Sequence, residues 1–206
     1  MKKLKIAVLA LQGAFVEHEQ MLTRMGIDWF EVRQYADWQQ PKDGLIIPGG
    51  ESTTMRKLLH ESGLFTPIRD ALSKGLPVFG TCAGLILLAK SVNGDEDNRT
   101  TFPTLGVMDI DVERNAYGRQ LGSFSVEVPI QLPQGGGTLA EKTIPMTFIR
   151  APFINKVSGD AVALAQIDGH IVAALEGRKL VTAFHPELTD NTLVHEAFIR
   201  LIEKGR

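Results

Sequence analysis

The chain has 206 residues, 44% of them hydrophobic and 22% charged, with a formal net charge of −2. That mix predicts a soluble globular fold of one domain over residues 1–206, and it lacks the basic excess of a nucleic-acid binder. The one cysteine, Cys82, excludes an intramolecular disulfide and a multi-cysteine zinc cluster, and it suits a reducing compartment such as the cytoplasm.

The N-terminal run Leu4–Leu11 is apolar and stops at Gln12-Gly13, so it reads as a first buried strand rather than a signal peptide. A helix is predicted over Ala14–Met25, with Gly26 at its C-terminal cap. Strands follow at Asp28–Arg33 and Gly44–Gly50. Ser52-Thr53-Thr54 is a candidate cap for a helix through Met55, Leu58 and Leu59. "LFTPIRDALSKG" reads as another helix, "LPVFG" as a strand and "AGLILLAKSV" as a helix. Apolar strands alternating with helices predict an α/β fold: an open, mostly parallel sheet in three layers, with helices on both faces. The second half turns β-like, with Asp168-Gly169 marking a hairpin, so a small antiparallel region is expected as well. The chain closes on an amphipathic helix, "NTLVHEAFIRLIEKG". Residues 93–104 and 131–145 read as loops, with mobile glycines at Gly135-Gly136-Gly137. No apolar run approaches about 18 residues, so no membrane span is expected.

Cys82 lies in Gly80-Thr81-Cys82-Ala83-Gly84, between a predicted buried strand and a predicted helix. This is the layout of a nucleophile elbow, in which a sharp turn needs small neighbours and stands the nucleophile at the C-terminal edge of the sheet. The helix N-terminus favours negative charge there, and the Ala83 N–H can serve a developing oxyanion. An isolated cysteine in such a turn is more often core filler, so a partner base has to decide between the two readings. His60, His170 and His195 occupy polar positions expected to be solvated, and His18, beside Glu17 and Glu19, reads as structural. His185 differs: it ends the apolar strand "KLVTAF", before Pro186, at the same sheet edge as Cys82. Glu187 lies within reach of its second ring nitrogen, as an orienting carboxylate must. Pro48-Gly49-Gly50 forms a loop able to aim a backbone N–H at an oxyanion or to flip away from it.

"PGGEST", "FGTCAGLILLA" and "FHPEL", in this order, resemble the class I glutamine amidotransferases. "LALQGAFVEH", "PGGESTTM", "GTCAGLILLAK", "VERNAYGRQ", "FIRAP" and "AFHPELT" together resemble, more narrowly, the glutaminase subunits of pyridoxal 5'-phosphate synthases. The resemblance implies that L-glutamine is hydrolysed to glutamate and ammonia by a Cys82–His185–Glu187 triad. It assigns the oxyanion hole to Gly50 and Ala83. Substrate contacts fall to Gly50, Glu51, Ser52, Arg114, Ile149 and Arg150, with Gln12 and Gly49 in support. It implies no metal or organic cofactor, and as partner a (β/α)8-barrel synthase subunit that receives the ammonia. The alternatives are a glutaminase subunit serving another amidotransferase, or a thiol sensor on the same fold. The intact His185–Glu187 pair argues against a sensor, which needs no oriented base.

Overall fold

A computed structural model describes residues 3–94, 102–114, 123–134 and 138–205. The first half alternates as the apolar runs require: β1 (Lys5–Leu9), α1 (Phe15–Arg24), β2 (Asp28–Val32), α2 (Tyr35–Trp38), β3 (Gly44–Ile47), α3 (Ser52–Glu61), α4 (Phe65–Ser73), β4 (Val78–Thr81) and α5 (Ala83–Leu88). The second half is mainly strands: β5 (Ala89–Asn93), β6 (Met108–Glu113), β7 (Ser123–Pro133), β8 (Leu139–Ile149), β9 (Phe153–Val157), β10 (Val162–Ile167), β11 (His170–Glu176) and β12 (Lys179–Thr182). A 3-10 turn (Pro186–Leu188) and α6 (Leu193–Glu203) follow.

β2, β1, β3, β4 and β12 lie side by side and parallel. β11, β9 and β6 extend the sheet antiparallel from β12, with β5 parallel to β6 at the edge and β10 paired to β11. Alternation along β4 shows how both faces are covered. The Phe79 ring packs against His18 of α1 and against His195 and Phe198 of α6. Gly80, pointing the other way, lies against Gly84 and Leu88 of α5. The strands β3 and β4 are buried on both faces throughout, as expected of a helix-covered parallel sheet.

Asp168 and Gly169 both take positive φ (49° and 81°) in the β10–β11 hairpin, as the Asp-Gly pair predicts. Other expectations need correction. The predicted helix over "AGLILLAKSV" stops at Leu88, and Ala89 is already extended. Ala89–Asn93 instead pairs with β6, where Ser91, Val92 and Asn93 gain ladder bonds they would not need in a helix. The cap of α3 is Glu51, whose carboxylate accepts the N–H groups of Thr53 and Thr54, and not the Ser-Thr-Thr run. Residues 131–133 and 139–145 are not loop: β7 and β8 form an eleven-residue antiparallel ladder, from Ser123↔Ile149 to Pro133↔Leu139. Val128, Ile130 and Leu132 of β7 and Ile144, Met146 and Phe148 of β8 bury one face of it. The expected mobility of Gly135-Gly136-Gly137, and most of the 93–104 segment, lie outside the described residues, as does the "NAYGRQ" part of its motif.

Among the described residues no helix is long and apolar enough to cross a membrane, and no group of His, Cys, Asp and Glu side chains is arranged to hold a metal ion.

Candidate active site

The strands β1, β3, β4 and β12 are neighbours and parallel, so the loops at their C-terminal ends emerge together. This is where open α/β sheets bind ligands. Those loops carry Gln12, Gly49-Gly50, Cys82 and His185.

Cys82 takes φ 48° and ψ −99°, a conformation that L side chains seldom adopt. Its own N–H is bound to the Thr182 carbonyl of β12 at 2.8 Å. The flanking glycines are required by close packing. A Cβ on Gly80 would sit 2.8 Å from the Gly84 backbone, and one on Gly84 would collide with the Ile47 carbonyl. The thiol is almost wholly buried. Ala83 opens α5, so its N–H is one of the donors that a helix leaves unpaired at its start.

His185 is placed by backbone as well as by strand: its N–H donates to the Thr147 carbonyl of β8 at 2.8 Å. The small sheet thus buttresses the histidine. The ring lies between Cys82 and Glu187, with Nδ1 2.7 Å from Glu187 Oε1. Burial alone would lower the pKa of His185. The neighbouring Cys82 and Glu187 outweigh burial and raise it to about 10, which favours imidazolium at neutral pH. Burial works equally against charge on Glu187, but facing His18 and His185 its carboxyl is held below the usual range.

A cleft of about 290 Å3 opens over these residues, near the small end of ligand sites. Gln12, Gly49, Gly50, Glu51, Ser52, Cys82, Arg114, Ile149, Arg150 and His185 all line it. Two expected site residues do not: Ala83 is buried at the foot of α5, and Glu187 is buried behind His185. The Gly49 carbonyl accepts the Ala14 N–H at 2.9 Å. In a planar trans peptide the Gly50 N–H then points to the opposite side, away from the β1 loop. Gln12 Oε1 accepts the Glu51 N–H at 2.9 Å, fixing the next peptide. Partial burial opposes charge on Glu51, but bonds from the Thr54 and Thr53 N–H groups hold its carboxyl below the ordinary range. The Arg114 guanidinium reaches the same rim, with Nη2 3.6 Å from Glu51 Oε1 and 3.4 Å from Thr53 Oγ1. Arg150 has φ 43°, so the chain turns sharply between Ile149 and the cleft wall at Pro152.

Sequence reasoning missed several neighbours. Ala14, Ile86 and Pro152 also line the cleft; they fall within the quoted motifs, but nothing in such common apolar residues singles out a role. His195 was expected in solvent but is fully buried, with Nε2 3.0 Å from His18 Nδ1. The available signal was spacing: 195, 198, 199 and 202 share one face of α6, and the other three are apolar. His18 is indeed packed inside, but it lies 3.6 Å from Glu187 Oε1.

Residues 8–204 match the model of the SNO glutamine amidotransferase family. The chain is 51% identical over 199 residues to the pyridoxal 5'-phosphate synthase subunit PdxT of Methanocorpusculum labreanum, covering 97% of this chain and 98% of that one. It is likewise 51% identical over 206 residues to the subunit of the same name from Streptococcus pneumoniae strain CGSP14, covering 98% of this chain and all of the relative. Among solved structures, one described as a glutamine amidotransferase superposes with a TM-score of 0.82 at 39% identity, over 96% of this chain and 98% of that one. A chain of PurLQS from Thermotoga maritima superposes with a TM-score of 0.62 at 14% identity, over 99% of this chain and 97% of that one, which speaks to fold alone.

Proposed function

This chain belongs to the SNO glutamine amidotransferase family, and on that premise we propose that it is the glutaminase subunit of a pyridoxal 5'-phosphate synthase. It acts as one domain, in the cytoplasm, hydrolysing L-glutamine to L-glutamate and ammonia. The observation that carries the chemistry is the alignment of Cys82, His185 and Glu187, with a 2.7 Å contact between the last two.

The Cys82 sulfur attacks the side-chain amide carbon of glutamine. The carbonyl π electrons move to oxygen, and the oxyanion is met by the N–H groups of Ala83 and Gly50. The His185 imidazolium gives its proton to the amide nitrogen, the C–N bond breaks and ammonia leaves, with a γ-glutamyl thioester on Cys82. His185, now neutral, takes a proton from water as that water attacks the thioester. Collapse expels the thiolate and releases glutamate. Glu187 keeps the ring in one tautomer and balances its charge. Arg114 clamps the α-carboxylate of glutamine. Glu51, Ser52, Ile149 and Arg150 line the substrate, while Gln12 and Gly49 hold the loop that presents Gly50. Protein groups carry every step, so no metal or organic cofactor is called for. The ammonia passes to a synthase subunit, in keeping with the name of the relatives at 51% identity, and the motif resemblance makes that subunit a (β/α)8 barrel.

An ammonia-release assay on glutamine, with and without the barrel subunit, tests this reading. A glutamine-mimicking diazo-ketone should add to Cys82 by mass spectrometry. No adduct in the presence of the barrel subunit would overturn the nucleophile assignment, and absence of a stable complex with the barrel would overturn the partner.

A further inference from the structure

Behind the triad lies a second layer of buried polar side chains that the reaction above does not use. The Glu187 carboxylate has no solvent exposure. Its Oε1 is 2.7 Å from His185 Nδ1 on one side and 3.6 Å from His18 Nε2 on the other. Its Oε2 has no hydrogen-bond partner among the described residues. The His18 ring, also without exposure, is held at both nitrogens. Nε2 lies 3.1 Å from the hydroxyl of Thr81, the residue before Cys82, and Nδ1 lies 3.0 Å from His195 Nε2.

The protons on this chain can be placed. Burial pushes both His18 and His195 below the ordinary histidine value, His195 to about 3, so both rings are neutral at neutral pH. Each neutral ring carries one N–H. His195 Nδ1 is buried with no partner among the described residues. An orphaned N–H is rarer and costlier than an orphaned lone pair. The His195 proton therefore sits on Nε2 and donates to His18 Nδ1. That leaves the His18 proton on Nε2, facing Thr81 and Glu187. The groups around His18 are Glu187 and His185 beyond β12, His195 on α6, Thr81 on β4 and Glu17 on α1 itself.

We propose that His18 is a positioning residue of the glutaminase reaction: its Nε2–H, fixed in that tautomer by His195, is anchored on the Thr81 hydroxyl of the strand that carries Cys82 and turns its positive end toward the Glu187 carboxylate 3.6 Å away, steadying that carboxylate in register with His185. The need is greatest in the thioester stage. His185 has then given up its proton, and Glu187 has lost the charge that otherwise anchors it. The inference rests on the triad reading.

The test is steady-state ammonia release by His18→Leu and His18→Gln, with Cys82→Ala as control, each in complex with the barrel subunit. His18→Leu should lose roughly 10- to 100-fold in kcat with KM unchanged, and the alkaline limb of its pH profile should move down. The Gln side chain places an amide N–H near the Nε2 position, so His18→Gln should recover part of both. A His18→Leu enzyme with unaltered kcat and alkaline limb, whatever its thermal stability, overturns the proposal. If Cys82→Ala still turns over, the triad reading itself is wrong, and that failure is separate. Nitrogen NMR of the histidines in the unaltered protein covers the case where His18→Leu does not fold. A His18 with protonated Nε2 and bare Nδ1 is expected, and protonated Nδ1 or imidazolium at neutral pH overturns the proposal.

Discussion

Glu187 Oε1 lies 2.7 Å from His185 Nδ1, and the other side of that ring faces the Cys82 thiol. The two contacts together set the charge of the site. Burial would strip the proton from His185, yet its partners raise its pKa to about 10. A raised histidine contributes stability that is complete below its unfolded value, near 6.5, and is lost as pH climbs through the folded value. Ammonia release should therefore stay level through neutral pH and fall as pH rises toward about 10. A pH–rate profile with its alkaline limb near 7 would contradict the assignment of His185 as the proton donor.

Replacing the orienting carboxylate separates geometry from charge. Glu187→Gln keeps the shape of the side chain but removes the counter-charge to the imidazolium. We expect kcat to fall by roughly 10²- to 10⁴-fold with little change in KM. The alkaline limb should also move down, since the favoured state of His185 loses support. Steady-state kinetics over a pH series measures both. Loss confined to KM would place Glu187 in substrate binding instead.

Gly49 packs directly against His185 and Cys82. A Cβ there would run into His185 Cε1 and would lie 3.1 Å from its Nδ1 and 3.3 Å from Cys82 Cβ. The buried ring cannot swing aside without leaving Glu187. Gly49→Ala should therefore abolish ammonia release, while circular dichroism shows the fold retained. Gln12→Ala frees the Glu51 N–H and loosens the same loop without a clash, so its loss should be smaller and fall on kcat. Equal activity in Gly49→Ala and the parent protein would mean that the loop relaxes away from His185.

Much of this site was legible in the sequence because its parts are local. The elbow around Cys82 needs small residues at 80 and 84, and those glycines announce it. His185 followed by Pro186 and Glu187 puts an imidazole and a carboxylate two residues apart at a strand end, the pattern from which the proposed base and orienter are read. The strand pattern put both at one sheet edge, which the parallel pairing of β4 and β12 bears out. What stayed hidden depends on long-range packing. Thr147 supports His185 through a backbone carbonyl, for which any residue would serve. His195 looked like one more polar position on an amphipathic helix until α1 and α6 met over Phe79. Ala89–Asn93 reads as helix on local propensity, and only pairing with β6 makes it a strand.

The buried histidines predict an acid weakness. His18 and His195 are both depressed, His195 to about 3. A depressed group contributes stability that is present above its unfolded value and is lost as pH falls toward the folded one. Between pH 6.5 and about 3 His195 should steepen the loss by roughly 1.4 kcal/mol per pH unit, and His18 adds to it in the same direction. Urea unfolding across that range measures the slope. His195→Phe, which keeps a ring against Phe79, should flatten it by about one proton. An unchanged slope would mean that His195 is already protonated in the folded protein.

Cys82 itself carries a measurable cost. Its φ of 48° with ψ of −99° is a conformation open to glycine and strained for any residue with a Cβ, at about 1–3 kcal/mol. Cys82→Ala and Cys82→Gly both remove the thiol, and both should release no ammonia. They differ in the backbone. Alanine keeps the strain, whereas glycine relieves it but loses more freedom on folding, by about 0.5–1 kcal/mol. The balance favours Cys82→Gly by about 1 kcal/mol. Denaturant melts of the two inactive variants compare them directly. If Cys82→Gly is the less stable of the two, the turn is not strained and the elbow is held by its packing alone.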